Sequence, residues 1–407
     1  MTLADAEALD AADPLAFARN RFHLPSGVIY LDGNSLGALP AATPGRLAEV
    51  AERQWGGDLI ASWTRHDWVD APQRVAAGLA PIVGAAPDEL LIADSTSVIL
   101  FKLLAAAVRA RPGRTVLLTE QGNFPTDLYV AGGLSRLVPG LRVKAVARAE
   151  LAQALDGDVA ALFLTHVDYK SGARHDMARL NAAVHEAGAL TVWDLSHSAG
   201  AVALDIAGDG CDLALGCGYK YLNGGPGAPA FLFVATALQP DLDNVLSGWF
   251  GHAEPFDFVE DYFPAPDIGR FLTGTPSILA LAALETGIAT FDGVAMADLE
   301  AKSRRLSALF VAEVEARCPA LALASPRDAA DRGSHVVFAY PHGYAVMQAL
   351  IERGVVGDFR APDLLRFGFA PLYTRFADVW QAASVLAEII DADAWDEPRF
   401  HQRARVT

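Results

Sequence analysis

The chain has 407 residues, 52% of them hydrophobic and 20% charged, which suits a large buried core and excludes a disordered protein. Its 32 basic against 49 acidic residues leave a formal charge of −17, which argues against a general nucleic-acid or anionic-membrane binder. The length favours two domains over one.

The first ten residues are acidic and lack the basic start and apolar core of a secretory signal. The charge-free stretch 221–240 is broken by Asn223-Gly224-Gly225-Pro226-Gly227 and Pro229, so it cannot cross a bilayer as a helix. Cys211, Cys217 and Cys318 have no zinc-ligand spacing and imply no disulfide framework, as in a reducing compartment. The expectation is a soluble, cytoplasmic protein without a metal.

Along the chain, short apolar runs predict strands at 89–93, 115–119, 142–146, 160–164, 190–194, 212–217 and 230–234. Helical patterns such as 97–110 and 176–187 lie between them. Near-continuous apolar strands separated by helices imply an α/β fold with a mostly parallel sheet covered on both faces. After Pro276 the pattern changes to helices at 277–290 and 295–317, a strand at 335–339, a helix at 344–353, two short strands and a last helix at 377–389. The expected organisation is a large domain over 46–275 and a smaller α+β domain over 276–407. The N-terminal segment 1–45 would pack with the smaller domain.

In an open α/β sheet, ligands collect beyond the carboxyl ends of the strands. Candidate chemistry sits there. Lys220, one of only five lysines, follows the strand 212–217 and opens a glycine-rich loop. A desolvated lysine there can attack an aldehyde, although a strand-end lysine can equally snorkel to water. Asp194 ends another strand, with His197 three residues on; such an acid can keep a pyridine nitrogen protonated or simply cap a turn. Ser95 and Thr96 precede a helix, suiting either a phosphate or an ordinary N-cap. Phe124, in Gly122-Asn123-Phe124-Pro125-Thr126-Asp127, can stack on a flat ring or staple the next helix, and Thr165 is a further polar strand end. Taken together, a Schiff-base lysine, an acid, a phosphate cradle and an aromatic lid specify pyridoxal 5′-phosphate (PLP).

These segments resemble the fold-type I PLP enzymes and, more narrowly, the kynureninase family, over nearly the whole chain. The specific matches are Asn123-Phe124-Pro125-Thr126-Asp127, Asp194-Leu195-Ser196-His197, Gly218-Tyr219-Lys220-Tyr221-Leu222-Asn223 and Gly248-Trp249-Phe250-Gly251-His252. The resemblance implies that Lys220 carries the Schiff base and moves the Cα proton, with Tyr219 as proton donor. Asp194 would pair with the pyridinium and His197 lie near the ring hydroxyl. Ser95 and Thr96 would bind phosphate, and Phe124 would stack on the ring with Thr126, Asp127 and Thr165 beside it. Trp249 and Thr275 would reach the phosphate from the neighbouring subunit of a homodimer. Arg366 would hold the substrate carboxylate, while Trp249, Phe250 and His252 would border its aromatic end, and residues 56–68 would help shape that pocket. Thr275, asparagine in animal members, marks the bacterial form. The implied reaction is hydrolysis of L-kynurenine, and of its 3-hydroxy analogue, to anthranilate or 3-hydroxyanthranilate and L-alanine in tryptophan catabolism. Cysteine desulfurases and class V aminotransferases share the fold, but a desulfurase needs an exposed cysteine, which none of the three provides.

Overall fold

The seven apolar runs between residues 90 and 234 form one sheet. In the computed structural model, which describes residues 1–403, they are β1 (Leu90–Ala93), β2 (Val116–Glu120), β3 (Arg142–Val146), β4 (Val159–Thr165), β5 (Leu190–Asp194), β6 (Leu213–Cys217) and β7 (Ala230–Val234). Their spatial order is β1-β7-β6-β5-β4-β2-β3. Neighbours from β6 through β3 run parallel, whereas β7 is antiparallel to both β1 and β6. The reversal follows from the connection: residues 218–229 form a glycine-rich loop, with no helix to carry the chain back across the sheet. Strands β4 to β7 are buried along their whole length, so their sequences are unbroken apolar runs instead of alternating ones.

Helices cover both faces. Thr96–Ala110 buries Ile99, Leu100, Leu103, Leu104 and Ala107, the three-and-four spacing of an apolar stripe. Met177–Glu186 starts where the Asp176 side chain accepts from the Arg179 N–H at 3.0 Å. Near the N-terminus, Glu49–Asp58 winds as a π-helix, a form with no sequence signature of its own.

The second sheet is antiparallel, made of β8 (Ala322–Leu323), β9 (His335–Ala339), β10 (Asp358–Arg360) and β11 (Leu364–Gly368) in the order β8-β9-β11-β10. Its core holds Phe310, whose ring lies 4.7 Å from Phe367 and 5.5 Å from Phe369, under the helices Met296–Arg317 and Phe376–Asp391. Core packing does not change over at residue 275, because Leu281, Leu284 and Ile288 of the helix Ile278–Ile288 join the cluster under the large sheet. The N-terminal segment divides as well. Leu15, Ala18, Phe22 and Ala38 join that first cluster, while Ala6 and Leu31 join the second. Ile29–Tyr30 pairs in parallel with Val355–Val356, which draws residues 31–37 across the seam between the sheets. No single helix among the described residues is long and apolar enough to cross a membrane.

Candidate active site

Parallel register aligns the carboxyl ends of the central strands. Thr165 is the ladder partner of Asp194, and Asp194 that of Leu215, so the chain leaving β6 toward Lys220 emerges beside both. Asp194 is buried and its Oδ1 accepts the Ser196 N–H at 2.7 Å, which fixes the carboxylate; Oδ2 has no hydrogen-bond partner among the described residues. The turn-capping role and a free acceptor thus coexist in one side chain.

Asn123 organises the next strand end. Its amide donates to Thr119 Oγ1 at 3.0 Å, and its Oδ1 accepts from the Thr165 hydroxyl at 2.6 Å and the Phe124 N–H at 2.8 Å. These bonds fix Phe124 just before the helix Pro125–Leu137, with its ring edge-on to Tyr169 at 5.1 Å. Thr126 and Asp127 follow in the first turn, Thr126 half-buried and Asp127 buried. Burial and the Asp194 charge push the Asp127 carboxyl well above the usual range, and the Lys220 ammonium and the Thr165 hydroxyl draw it partly back. Two carboxyl groups and the Lys220 side chain therefore share a partly dry site, with Asp127 the one biased toward its protonated form. His197 lies against it, held neutral chiefly by burial and then by the Lys220 charge, with its Nδ1 buried and unpaired. Its ring meets that of His335 edge-on at 5.3 Å.

Lys220 is half-buried, and its Nζ lies 6.0 Å from the centre of the Tyr219 ring. The backbone here leaves no room for side chains: the Gly37 N–H donates to the Tyr219 carbonyl at 2.8 Å, and a Cβ on Gly37 would overlap the Lys220 carbonyl oxygen. Burial raises the pKa of the Tyr219 phenol, with Cys217 and Asp194 adding to it, so the hydroxyl stays protonated.

Tyr219 also lines a cavity of about 390 Å³ together with Ser95, Thr96 and Thr275. Ser95 sits in extended backbone at the N-cap of the helix Thr96–Ala110, yet its side chain makes no capping bond. The ordinary capping role is not taken, and the first N–H groups of the helix remain open to an anion. Thr275 reaches this cavity from the same chain. The resemblance further implies that Thr275 reaches the phosphate of the neighbouring subunit.

Arg366, on β11, is 1% exposed and already engaged. Its Nε and Nη2 grip Asp358 (Nε to Oδ1 at 2.8 Å), Nη2 also donates to Ser35 Oγ at 3.0 Å, and Nη1 donates to the Tyr169 carbonyl at 2.7 Å. The side of the guanidinium facing Asp358 is closed; one Nη1 hydrogen is left. Arg360 shares the same Asp358 oxygen as Arg366 Nη2, at 2.6 Å. Trp249, Phe250 and His252 do not join the Lys220 group within one chain. Trp249 and His252 line a separate cavity of about 360 Å³, and Phe250 is buried against Trp249 at 4.5 Å. Trp68, from the segment 56–68, lines a third, apolar cavity with Val50 and Ile278.

Asn123, Asp358, His335 and Ser35 were not singled out from sequence. Asn123 stood inside a recognised motif, so its place beside Phe124 was the available signal. Asp358 and His335 come from the second sheet, and nothing local marks them.

Residues 299–386 match the model for the kynureninase C-terminal domain. The kynureninase of Pseudomonas fluorescens is 49% identical, covering 99% of both chains, and that of Deinococcus radiodurans is 50% identical over 96% of this chain and 97% of its own. Among solved structures, a variant of C-DES with glycine covalently linked to its PLP cofactor superposes with a TM-score of 0.80 at 16% identity, covering 91% of this chain and 99% of that one.

Proposed function

This chain belongs to the kynureninase family, and on that premise we propose that it hydrolyses L-kynurenine to anthranilate and L-alanine with PLP as cofactor. The 3-hydroxy analogue would be cleaved likewise. The observation that carries the reading is the convergence of Lys220, Asp194 and Asp127 at adjacent strand ends, beside a helix start whose N-cap hydroxyl caps nothing.

The residues fit the cofactor. The open N–H groups at Thr96, with Ser95, Tyr219 and Thr275, suit its phosphate. The free Oδ2 of Asp194 suits the ring nitrogen, Phe124 a ring face, and Lys220 the aldehyde. When bound, the cofactor supplies an electron sink for charge developing beside the substrate amine. Lys220 is placed to take the Cα proton and return it, because its amine is a flexible base whose charge is felt at Asp127. Tyr219, held protonated by burial, is the donor for the carbonyl that water attacks. Asp127 and Thr165 hold the ring-side polar network in place. Arg366 can offer a substrate carboxylate its Nη1 hydrogen and, once the Ser35 hydroxyl moves aside, an Nη2 hydrogen, while Asp358 keeps the guanidinium oriented.

A homodimer with shared sites completes the proposal. Trp249 is 37% exposed, within an aromatic patch that includes Phe256 and the 74% exposed Phe258. Such a patch, lining a cavity other than the one its own Tyr219 lines, supports a contact with a second copy. Unpaired, buried cysteines support a cytoplasmic location, and burial pushes the Cys211 and Cys217 thiols up, against a desulfurase nucleophile. The deciding assay is release of fluorescent anthranilate from L-kynurenine by the purified protein. Lys220→Ala is expected to abolish it and to lose the hydride-reducible visible chromophore; turnover persisting in that variant would refute the assignment.

A further inference from the structure

Lys102 is the most deeply buried lysine of the chain, at 0% exposure, although it stands only six residues into the helix that begins at Thr96. Its ammonium makes two short bonds, to Asp94 Oδ2 at 2.6 Å and to the Phe271 carbonyl at 2.6 Å. Those partners belong to the two strips of chain that wall the cavity holding Ser95 and Thr96 on one side and Thr275 on the other. Asp94 has a left-handed backbone with φ of 46°, a region that aspartate and asparagine enter more readily than other residues with side chains. Beyond Phe271, the Thr273 carbonyl accepts from the Phe250 N–H at 3.3 Å, so the anchored strip also carries the turn that bears Trp249. Asp94 faces the cavity, and its side chain is only partly covered. An unneutralised carboxylate there would repel a phosphate.

We propose that Lys102 is a positioning residue for the phosphate end of the cofactor site: it bolts residues 94–96 to residues 271–275 and cancels the Asp94 charge. The proposal rests on the reading of Ser95, Thr96 and Thr275 as a phosphate cradle. Lys102 itself touches neither cofactor nor substrate, since its ammonium is turned to Asp94 and a backbone carbonyl. It acts through what it holds.

Phosphate-specific readouts separate this role from a merely structural one. The full chain, stripped of cofactor, is titrated with PLP and in parallel with pyridoxal, which lacks the phosphate, and followed by visible absorbance. Lys102→Met is expected to weaken PLP about tenfold or more while pyridoxal changes less than about twofold. Equal losses for the two aldehydes, or none, would overturn the proposal. Asp94→Asn gives the opposite sign and keeps the test decisive should the lysine variant misfold. Asparagine tolerates the left-handed backbone, and an uncancelled Lys102 charge should tighten PLP relative to pyridoxal. A fall in that ratio would overturn the charge-cancelling role. If Ser95→Ala combined with Thr96→Val leaves PLP affinity intact, the cradle reading fails instead, whatever the Lys102 result.

Discussion

Removing Asp358 is the sharpest test of how the second sheet holds its part of the site. The carboxylate is 1% exposed and receives four donors: Arg366 Nε at 2.8 Å, Arg366 Nη2, Ser35 Oγ at 3.0 Å and Arg360 Nη2 at 2.6 Å. In Asp358→Ala, Arg360 can turn to water and should cost less than about 1 kcal/mol. Arg366 has no such escape. It would keep its charge in the interior with the Ser35 hydroxyl and the Tyr169 carbonyl as hydrogen-bond partners and the Asp32 carboxyl as the remaining nearby acid. Stranding one member of a buried pair costs about 3–5 kcal/mol, which is the expected loss. Converting Arg366 to methionine as well removes the stranded charge, so the double variant should be more stable than Asp358→Ala alone. Urea unfolding of the full-length protein, followed by tryptophan fluorescence, measures both. Substrate binding should report the same disorder, with KM rising more than kcat falls. A loss under about 1 kcal/mol, or a double variant as unstable as the sum of its parts, would refute the argument.

Three further outcomes follow from the geometry. Burial and the Asp358 charge lift the Asp32 carboxyl from 3.8 to about 7, so the folded protein holds a proton there that the unfolded chain has released. Stability therefore falls as pH rises between those values; Asp32→Asn should remove that slope, on the order of 1 kcal/mol per pH unit, in thermal melts across the window. No change in slope would place the titration elsewhere. Gly37→Ala must displace the Lys220 backbone, and a holoenzyme content equal to wild type by hydride-reducible absorbance would contradict the close approach seen here. Tyr219→Phe should cut kcat by roughly 10²-fold with normal cofactor content, and full turnover would remove the phenol from the proton path.

The seven strands were readable to within about a residue at most ends because buried parallel strands are apolar runs bounded by turn residues. The direction of β7 was not, since strand direction depends on how the chain crosses the sheet and residues 218–229 merely lack a helix. Lys220, Asp194 and the Ser95-Thr96 pair were legible because each stands at a strand end, where an α/β fold puts its ligands. The state of Arg366 was not legible: its partner Asp358 is eight residues away on an antiparallel neighbour, and only the ladder brings them together. Lys102 reads as an ordinary residue of an amphipathic helix, and only the tertiary bonds of its ammonium to Asp94 and the Phe271 carbonyl show that its charge is enclosed.

The strip from Leu31 to Gly37 is fastened at both ends. Leu31 bonds to Val356 and Gly368 at 2.7 Å each, Ser35 to Asp358, and Gly37 to the Tyr219 carbonyl. Between these anchors the strip is wound into a turn, with the Ser35 and Leu36 N–H groups donating to the Asp32 carbonyl at 2.9 and 3.1 Å, so it can lengthen only by breaking those bonds. A swing of the small sheet away from the large one would be transmitted along this tether to the backbone that carries Lys220. Opening the cleft and disturbing the lysine are, mechanically, one event.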